Sequence, residues 1–442
     1  MTKERISDII QLVQSEVKPA LGCTEPIAVA LAVAKSCEMI KKQGYQPKKL
    51  EIEVSSNILK NGMGVGIPGT GMVGLDIAAA LAMICGKTEY NLEVLKDINP
   101  TAIQLAKELI EKGLVNISMA ITSKKLYICA VCKSGDHSAK TIIQDEHDRI
   151  VYYDFDGIIE YNDSTGSSDS YSCSIHKNEE TNAILELNLD VKTIWDFIHE
   201  VEFKDIEFIL QSADLNKALA KEGLKHNYGL QVGKSIHTNI HKHILGFGLL
   251  TNSMAMTAAA SDARMAGSIL PAMSNTGSGN QGITATLPVV AASETFLSSQ
   301  EELARALMLS HLITIHIKGQ LGRLSALCGA VVASIGSACG IVYLSEGTYD
   351  QVCYAIKNMI GNMTGMVCDG AKIGCSLKVA SGVSSAVQSV LLAMENVCIS
   401  ENDGIIDKDI EKTIKNLANI GSTGMQETDN LILQIMVSKL GK

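Results

Sequence analysis

The chain has 442 residues, of which 46% are hydrophobic and 19% charged, and 38 Lys and Arg stand against 48 Asp and Glu for a net charge of −10. A chain of this length buries a substantial core and suggests roughly two or three domains. Its acidity, with only 6 Phe, 1 Trp and 11 Tyr, excludes the basic, aromatic-studded surface of a nucleic-acid binder, and 12 cysteines are too few for a disulfide scaffold.

In chain order, Ile6, Ile9, Ile10, Val13 and Val17 form the apolar stripe of an amphipathic helix. Charged residues interrupt it and no small-residue cleavage site follows, so a cytoplasmic chain with reduced thiols is expected. A second helix is expected from Glu25, with Thr24 as N-cap and Pro26 in its first turn, after a break at Pro19 and Gly22. Leu50-Glu51-Ile52-Glu53-Val54 alternates as a half-buried strand. It runs into Ser56-Asn57-Ile58-Leu59-Lys60-Asn61-Gly62 and then a glycine-rich stretch with Gly64, Gly66, Gly69 and Gly71.

Beyond a helix near 101–113, short β-rich runs cover Val115–Ile121, Lys125–Lys133, Ala139–Gln144, Ile150–Tyr153 and Gly157–Tyr161. Turn signals at Ser134-Gly135-Asp136 and Asp154–Gly157 make them an antiparallel meander. A polar loop follows at 162–170, and from about 190 the pattern is helical. The fold class is therefore α+β: a helix-and-strand segment over 1–100, a small antiparallel domain over 101–190 and an all-α domain over 191–442. Leu324–Ser345 carries no charge and approaches the length of a membrane span. Its Gly, Ala and Ser content, with no second such stretch, fits a buried core helix instead.

The cysteines sort by context. Cys129 and Cys132 form a CxxC, but on a strand positions three apart face opposite ways, so they are not a metal pair. Cys37 and Cys85 lie among apolar helix residues as core thiols. Cys368 and Cys375 lie seven apart across a loop with Gly370 and Gly374, and Cys328 lies 40 residues upstream on the uncharged helix. Three thiolates from two elements suffice for an iron–sulfur cluster with one open iron; buried reduced cysteines are the alternative, and Cys339, eleven residues beyond Cys328, is its rival. Cys23, just before a helix start, is placed where thiolate is favoured, or else is an incidental buried cysteine at a helix cap. Thr276-Gly277-Ser278-Gly279-Asn280-Gln281-Gly282 feeds a helix and presents backbone N–H groups to an anion, or else makes a tight helix connection. His237 and His241 are four apart with His243 beyond, but no HExxH pattern is present, and a surface helix start is expected there. Core or interface roles are expected for His311 and His316.

Together, Gly22-Cys23-Thr24-Glu25-Pro26, Ser56–Gly62, Gly277–Gly282 and the set Cys328, Cys368 and Cys375 resemble the iron–sulfur L-cysteine desulfidase family. The C-terminal half also resembles the alpha domain of iron–sulfur L-serine dehydratases. Those enzymes usually have Cys-Asp-Pro where this chain has Cys368-Asp369-Gly370, and a longer gap to the last cysteine, which points away from serine. The resemblance implies a 4Fe–4S cluster on Cys328, Cys368 and Cys375 and conversion of L-cysteine to pyruvate, ammonia and sulfide without pyridoxal phosphate. It carries over Cys23 as an active-site thiol, either a proton-transfer group or a fourth ligand. Ser278, Gly279, Asn280, Gln281 and Gly282 then suit the substrate carboxylate, while Asn57, Lys60 and Asn61 orient the amino acid or offset developing negative charge. The expected partner is a small amino acid, with neither nucleic acid nor membrane, and small-residue helices are compatible with a homodimer. Alternatives are a serine or other β-substituted amino acid dehydratase using the same cluster, and a non-catalytic iron–sulfur or amino-acid sensor.

Overall fold

A computed structural model describes residues 1–20, 22–124, 126–163, 187, 189–322 and 325–438. Cys173 and most of the polar loop at 162–170 lie outside them. The fold is α+β. Five helices come first: α1 (Lys3–Glu16), α2 (Thr24–Lys42), α3 (Ser56–Gly62), α4 (Leu75–Cys85) and α5 (Pro100–Glu111). The strands are β1 (Lys49–Val54), β2 (Val115–Met119), β3 (Tyr127–Ser134), β4 (His137–Gln144), β5 (Ile150–Phe155) and β6 (Ile158–Asn162). The principal later helices are α6 (Val191–Glu200), α7 (Leu210–Lys225), α8 (Val232–His241), α9 (Leu249–Met265), α10 (Gly279–Phe296), α11 (Gln300–Leu321), α12 (Gly329–Leu344), α13 (Tyr349–Met363), α14 (Cys375–Met394), α15 (Ile410–Asn419) and α16 (Gln426–Val437).

The chain forms two compact units. One comprises Gly22–Ile175 with Gly370–Lys372, the other Met1–Leu21, His176–Asp369 and Ile373–Lys442. In the first, a six-stranded sheet runs in the order β2-β1-β3-β4-β5-β6. The alternation of β1 is that of a strand with one face buried, since Leu50, Ile52 and Val54 point inward. The meander β3 to β6 is antiparallel, with turns at Gly135 (φ 63°) and at Asp156 and Gly157 (φ 49° and 78°). The sheet as a whole is mixed: β1 pairs in parallel with β2, Ile52 opposite Ile117, and antiparallel with β3, Ile52 opposite Ala130. A parallel pair needs a long crossover, which α3, α4 and α5 supply. Helix α2 covers one sheet face, where its buried Ser36 hydroxyl meets Ala130 O at 3.0 Å and Thr141 Oγ1 at 2.9 Å.

Cys132 points to the same side, its Sγ 3.6 Å from Cys37 Sγ on α2. Cys129 lies instead among Tyr127 and Lys140, so the CxxC is split across the strand as its spacing requires. Cys85 ends α4 with its thiol on Leu81 O at 3.4 Å.

The second unit is helical around a large core, with a smaller apolar cluster at Leu219, Ala260, Ala263, Ile283 and Leu287. Helix α12 is buried along its length, and Gly336 and Gly340 let it approach α11 closely. A Cβ on Gly336 would run into Ser310 O and Thr314 Oγ1, and one on Gly340 would stand 2.8 Å from Ala306 O. The uncharged stretch is thus a core helix of 16 residues beginning at Gly329, with Cys328 as its N-cap rather than within it. Among the described helices, Cys375–Met394 is long and apolar enough by length and composition to cross a membrane, and 50% of that window is buried in the fold.

Candidate functional site

In the helical unit, two loops and a helix start bring the predicted cysteines together. The segments around Leu327 and Val367 pair antiparallel. Cys328 N donates to Met366 O at 3.0 Å and Cys368 N to Ala326 O at 2.6 Å, which fixes both cysteines by backbone bonds. Cys375 opens α14 after Gly374. One turn further along, Lys378 Nζ donates to Val367 O at 2.8 Å and pairs with the Asp369 carboxylate, tying the Cys368 segment to the Cys375 helix. Burial raises the Cys328 thiol to about 12, and the neighbouring Cys368 and Cys375 push it the same way, opposed by Lys378. The rival Cys339 lies three turns along α12, about 16 Å of helix rise from Cys328. Its thiol is fully buried beside Cys353, and burial holds its pKa well above the usual value.

No three His, Cys, Asp or Glu side chains among the described residues converge as ligands of a single ion would. A four-iron cluster makes a different demand, because each thiolate takes a different iron and the ligands surround a volume. Cys328, Cys368 and Cys375 fit that demand chemically. They are soft donors on preformed backbone, with Cys368 and Cys375 close enough to oppose ionisation of Cys328, a repulsion that a bound cationic centre relieves.

The anion-type loop lies in the same unit. Asn275 and Ser278 exchange backbone bonds, Asn275 N to Ser278 O at 3.1 Å and Ser278 N to Asn275 O at 3.0 Å. Thr276 (φ 45°) and Gly277 (φ 76°) are therefore the central residues of a tight turn with two positive φ angles. Glycine adopts this freely; the β-branched Thr276 does so under strain, as residues at functional sites often do. Ser278 caps α10 by accepting from Gln281 N at 3.3 Å, and Asn280 Oδ1 accepts from Ser261 Oγ at 3.2 Å. Two residues absent from the sequence-based set complete the surroundings. Arg264 on α9 is 7% exposed, and its guanidinium lies so close to Gly279 that a Cβ there would overlap it. A buried cation at a helix start strengthens the case for an anionic ligand. Asp262, two residues earlier, accepts from Gly233 N at 3.0 Å, and burial raises its carboxyl pKa. Their signal in the sequence was an isolated Asp-x-Arg in a helix otherwise built of Ala, Ser, Thr, Met, Leu and Asn.

The other predicted residues belong to the sheet-bearing unit. Cys23, not Thr24, is the N-cap of α2 and is 4% exposed. The Thr24 hydroxyl is drawn instead to His147 Nε2 at 3.3 Å and Glu25 Oε2 at 3.4 Å. Ser56–Gly62 is a short helix, so Asn57 and Asn61 share one half-buried face four residues apart, and Lys60 is 5% exposed. Gly370 (φ 91°) lies directly over the Lys60 carbonyl and Lys372 bridges to Gly64, so the middle of the Cys368–Cys375 loop is built into this unit. His237 and His241 stand at the end of α8 rather than a helix start, Nε2 to Nε2 3.3 Å.

Residues 89–434 match the family model of the serine dehydratase alpha chain. A UPF0597 protein of Phocaeicola vulgatus is 49% identical over 441 residues, 99% of each chain. One from Bacteroides fragilis is 48% identical over 440 residues, 99% of this chain and 100% of the relative. One from Oleidesulfovibrio alaskensis is 47% identical over 439 residues, with the same shares covered.

Proposed function

The chain belongs to the serine dehydratase alpha chain family, a family of lyase type, and on that premise we propose that it is a 4Fe–4S L-cysteine desulfidase yielding pyruvate, ammonia and sulfide. The observation that carries the reading is the convergence, in one unit, of Cys328 and Cys368 on paired backbone segments with Cys375 at a helix start. These three residues would hold the cluster, and when bound it supplies a thiophilic Lewis acid with one iron open to the leaving group.

The chain's own residues do the rest. The Ser278–Gly282 backbone and the buried Arg264 guanidinium bind the substrate carboxylate, fixing the amino acid at one end. Asn57, Lys60 and Asn61 orient it and offset the charge that develops toward the carboxylate as the Cα–H bond breaks. The Cys23 thiolate takes the α-proton; the freed electron pair forms the Cα–Cβ double bond and the Cβ–S bond breaks, releasing sulfide. Aminoacrylate then tautomerises to its imine and hydrolyses to pyruvate and ammonia. The reaction proceeds without pyridoxal phosphate, in the cytoplasm, in a chain that associates as a homodimer.

The test is a pair of variants in anaerobically reconstituted protein. Cys368→Ala loses iron, whereas Cys23→Ala keeps most of its iron and loses turnover. Equal iron loss in both makes Cys23 a structural ligand and removes it as the base. A second reading, elimination of water from L-serine, is favoured by the family's own description. Pyruvate release from serine exceeding that from cysteine at equal concentration would establish it.

A further inference from the structure

Among the described residues, the buried polar network behind the Ser278 loop contains an acceptor with no donor. Gln281 is 1% exposed, and its Nε2 donates to Asn275 O at 3.3 Å, to Asn275 Oδ1 at 3.2 Å and to Thr276 Oγ1. Asn275 is oriented in turn by His311: Asn275 Nδ2 donates to His311 Nδ1 at 3.0 Å and to His311 O at 3.3 Å. His311 is fully buried, and burial lowers its pKa to about 3, so the ring is neutral. With Nδ1 accepting, the ring proton sits on Nε2 and is donated to Thr286 Oγ1 at 3.2 Å, whose hydroxyl passes on to Gly282 O at 2.7 Å. The two Gln281 Nε2 protons are shared among its three acceptors, and the reverse orientation of the amide does not satisfy them. Flipping the amide would set its oxygen against Asn275 O and Asn275 Oδ1.

The result is that Gln281 Oε1 is turned away from the network. It finds no donor among the described residues and lies beside Gly329, where a Cβ would stand 2.8 Å from it. Gly329 is the first residue of α12, directly after Cys328. A buried acceptor without a donor is costly and calls for a partner from a ligand, an ion or water.

We propose that His311 and Asn275 are positioning residues that lock Gln281 with its side-chain oxygen facing the Cys328–Gly329 helix start, where it accepts a hydrogen bond from the α-ammonium of the substrate. This rests on the reading of the site as one for a β-substituted α-amino acid. It adds an amino-group determinant to the carboxylate contacts. Des-amino acids then lack one contact, and Gln281 discriminates them from amino acids.

The experiment uses anaerobically reconstituted holoenzyme, measuring KM for L-cysteine and Ki for 3-mercaptopropionate, which keeps the thiol and carboxylate but has no ammonium. Gln281→Leu raises KM about tenfold to a hundredfold, as loss of one hydrogen bond to a charged group does, with iron content and Ki for 3-mercaptopropionate unchanged. His311→Leu shifts KM in the same direction, and His311→Asn, whose side-chain oxygen replaces the Nδ1 acceptor, restores it. Gly329→Ala, which crowds Gln281 Oε1 without touching the relay, gives the same ammonium-selective loss and serves if Gln281→Leu does not fold. Equal weakening of both ligands, or no change in either, overturns the proposal, the latter meaning that the acceptor serves buried water. Wild-type enzyme preferring serine overturns the cysteine reading alone, and the pair becomes L-serine and 3-hydroxypropionate. Wild-type protein that binds iron but turns over neither amino acid overturns both.

Discussion

Gly370→Ala tests how tightly the loop between Cys368 and Cys375 is built into the sheet-bearing unit. Two costs add. At φ 91° an alanine sits where L side chains are disfavoured, costing about 1–2 kcal/mol. Its Cβ would also overlap the Lys60 carbonyl, a backbone atom that cannot swing aside, adding about 1–3 kcal/mol of overpacking. Gly44 separates the two terms. It has φ 80°, with nothing within 4 Å of where a Cβ would stand, and so carries the first cost alone. A thermal melt should show Gly44→Ala shifted by about 2–8 °C and Gly370→Ala by about 2–12 °C more, taking 2–4 °C per kcal/mol for a unit of this size. If Gly370→Ala is no more destabilising than Gly44→Ala, the close seating of Gly370 on Lys60 is wrong.

At the α11–α12 crossing, Gly336→Ala should cost about 1–3 kcal/mol through overlap with Ser310 O and Thr314 Oγ1, read as a lower denaturation midpoint. Lys378→Met releases Val367 O and Asp369, so the cluster should be stripped by an iron chelator several-fold faster than in wild type, with Lys378→Arg intermediate. His311 contributes to acid sensitivity. Its pKa of about 3 in the fold lies below the unfolded value near 6.5, so the unfolded chain binds the extra proton. Its contribution is full above pH 6.5 and falls by about 1.4 kcal/mol per pH unit down toward pH 3. The pH dependence of the melting temperature between pH 4 and 7 should therefore be flatter in His311→Asn; an unchanged slope would mean that His311 is not held neutral.

The elements legible in the sequence were those with a strong local period. The stripe of α1, the alternation of β1 and the meander turns at Gly135 and Gly157 all reappear in the fold. Period gives a strand its faces but not its neighbours, so the parallel pairing of β1 with β2 was not legible in Leu50–Val54. The start of α12 was hidden because an uncharged run offers no boundary signal, which placed Cys328 inside a helix it in fact caps. Thr24 is instead the first helical residue, with Cys23 before it in extended backbone, and its hydroxyl lies by a histidine 123 residues away that no local pattern announces. Within the site, the cysteine spacing and the Ser278 loop were visible as motifs. His311 was legible as a core residue and Arg264 only as an isolated Asp-x-Arg, but their links to the loop, and Asn275, were not, since a buried polar residue in an apolar helix or turn has meaning only through its partners.

The central claim is a cluster on Cys328, Cys368 and Cys375 that is required for cleaving L-cysteine. The most direct measurement is anaerobic reconstitution with iron and sulfide, followed by iron analysis and by pyruvate and sulfide release from L-cysteine before and after reconstitution. The reconstituted protein should be brown, with about four irons per chain, and it alone should release pyruvate and sulfide in equal amounts. Folded protein that takes up no iron, or that releases pyruvate equally well without it, would contradict the account.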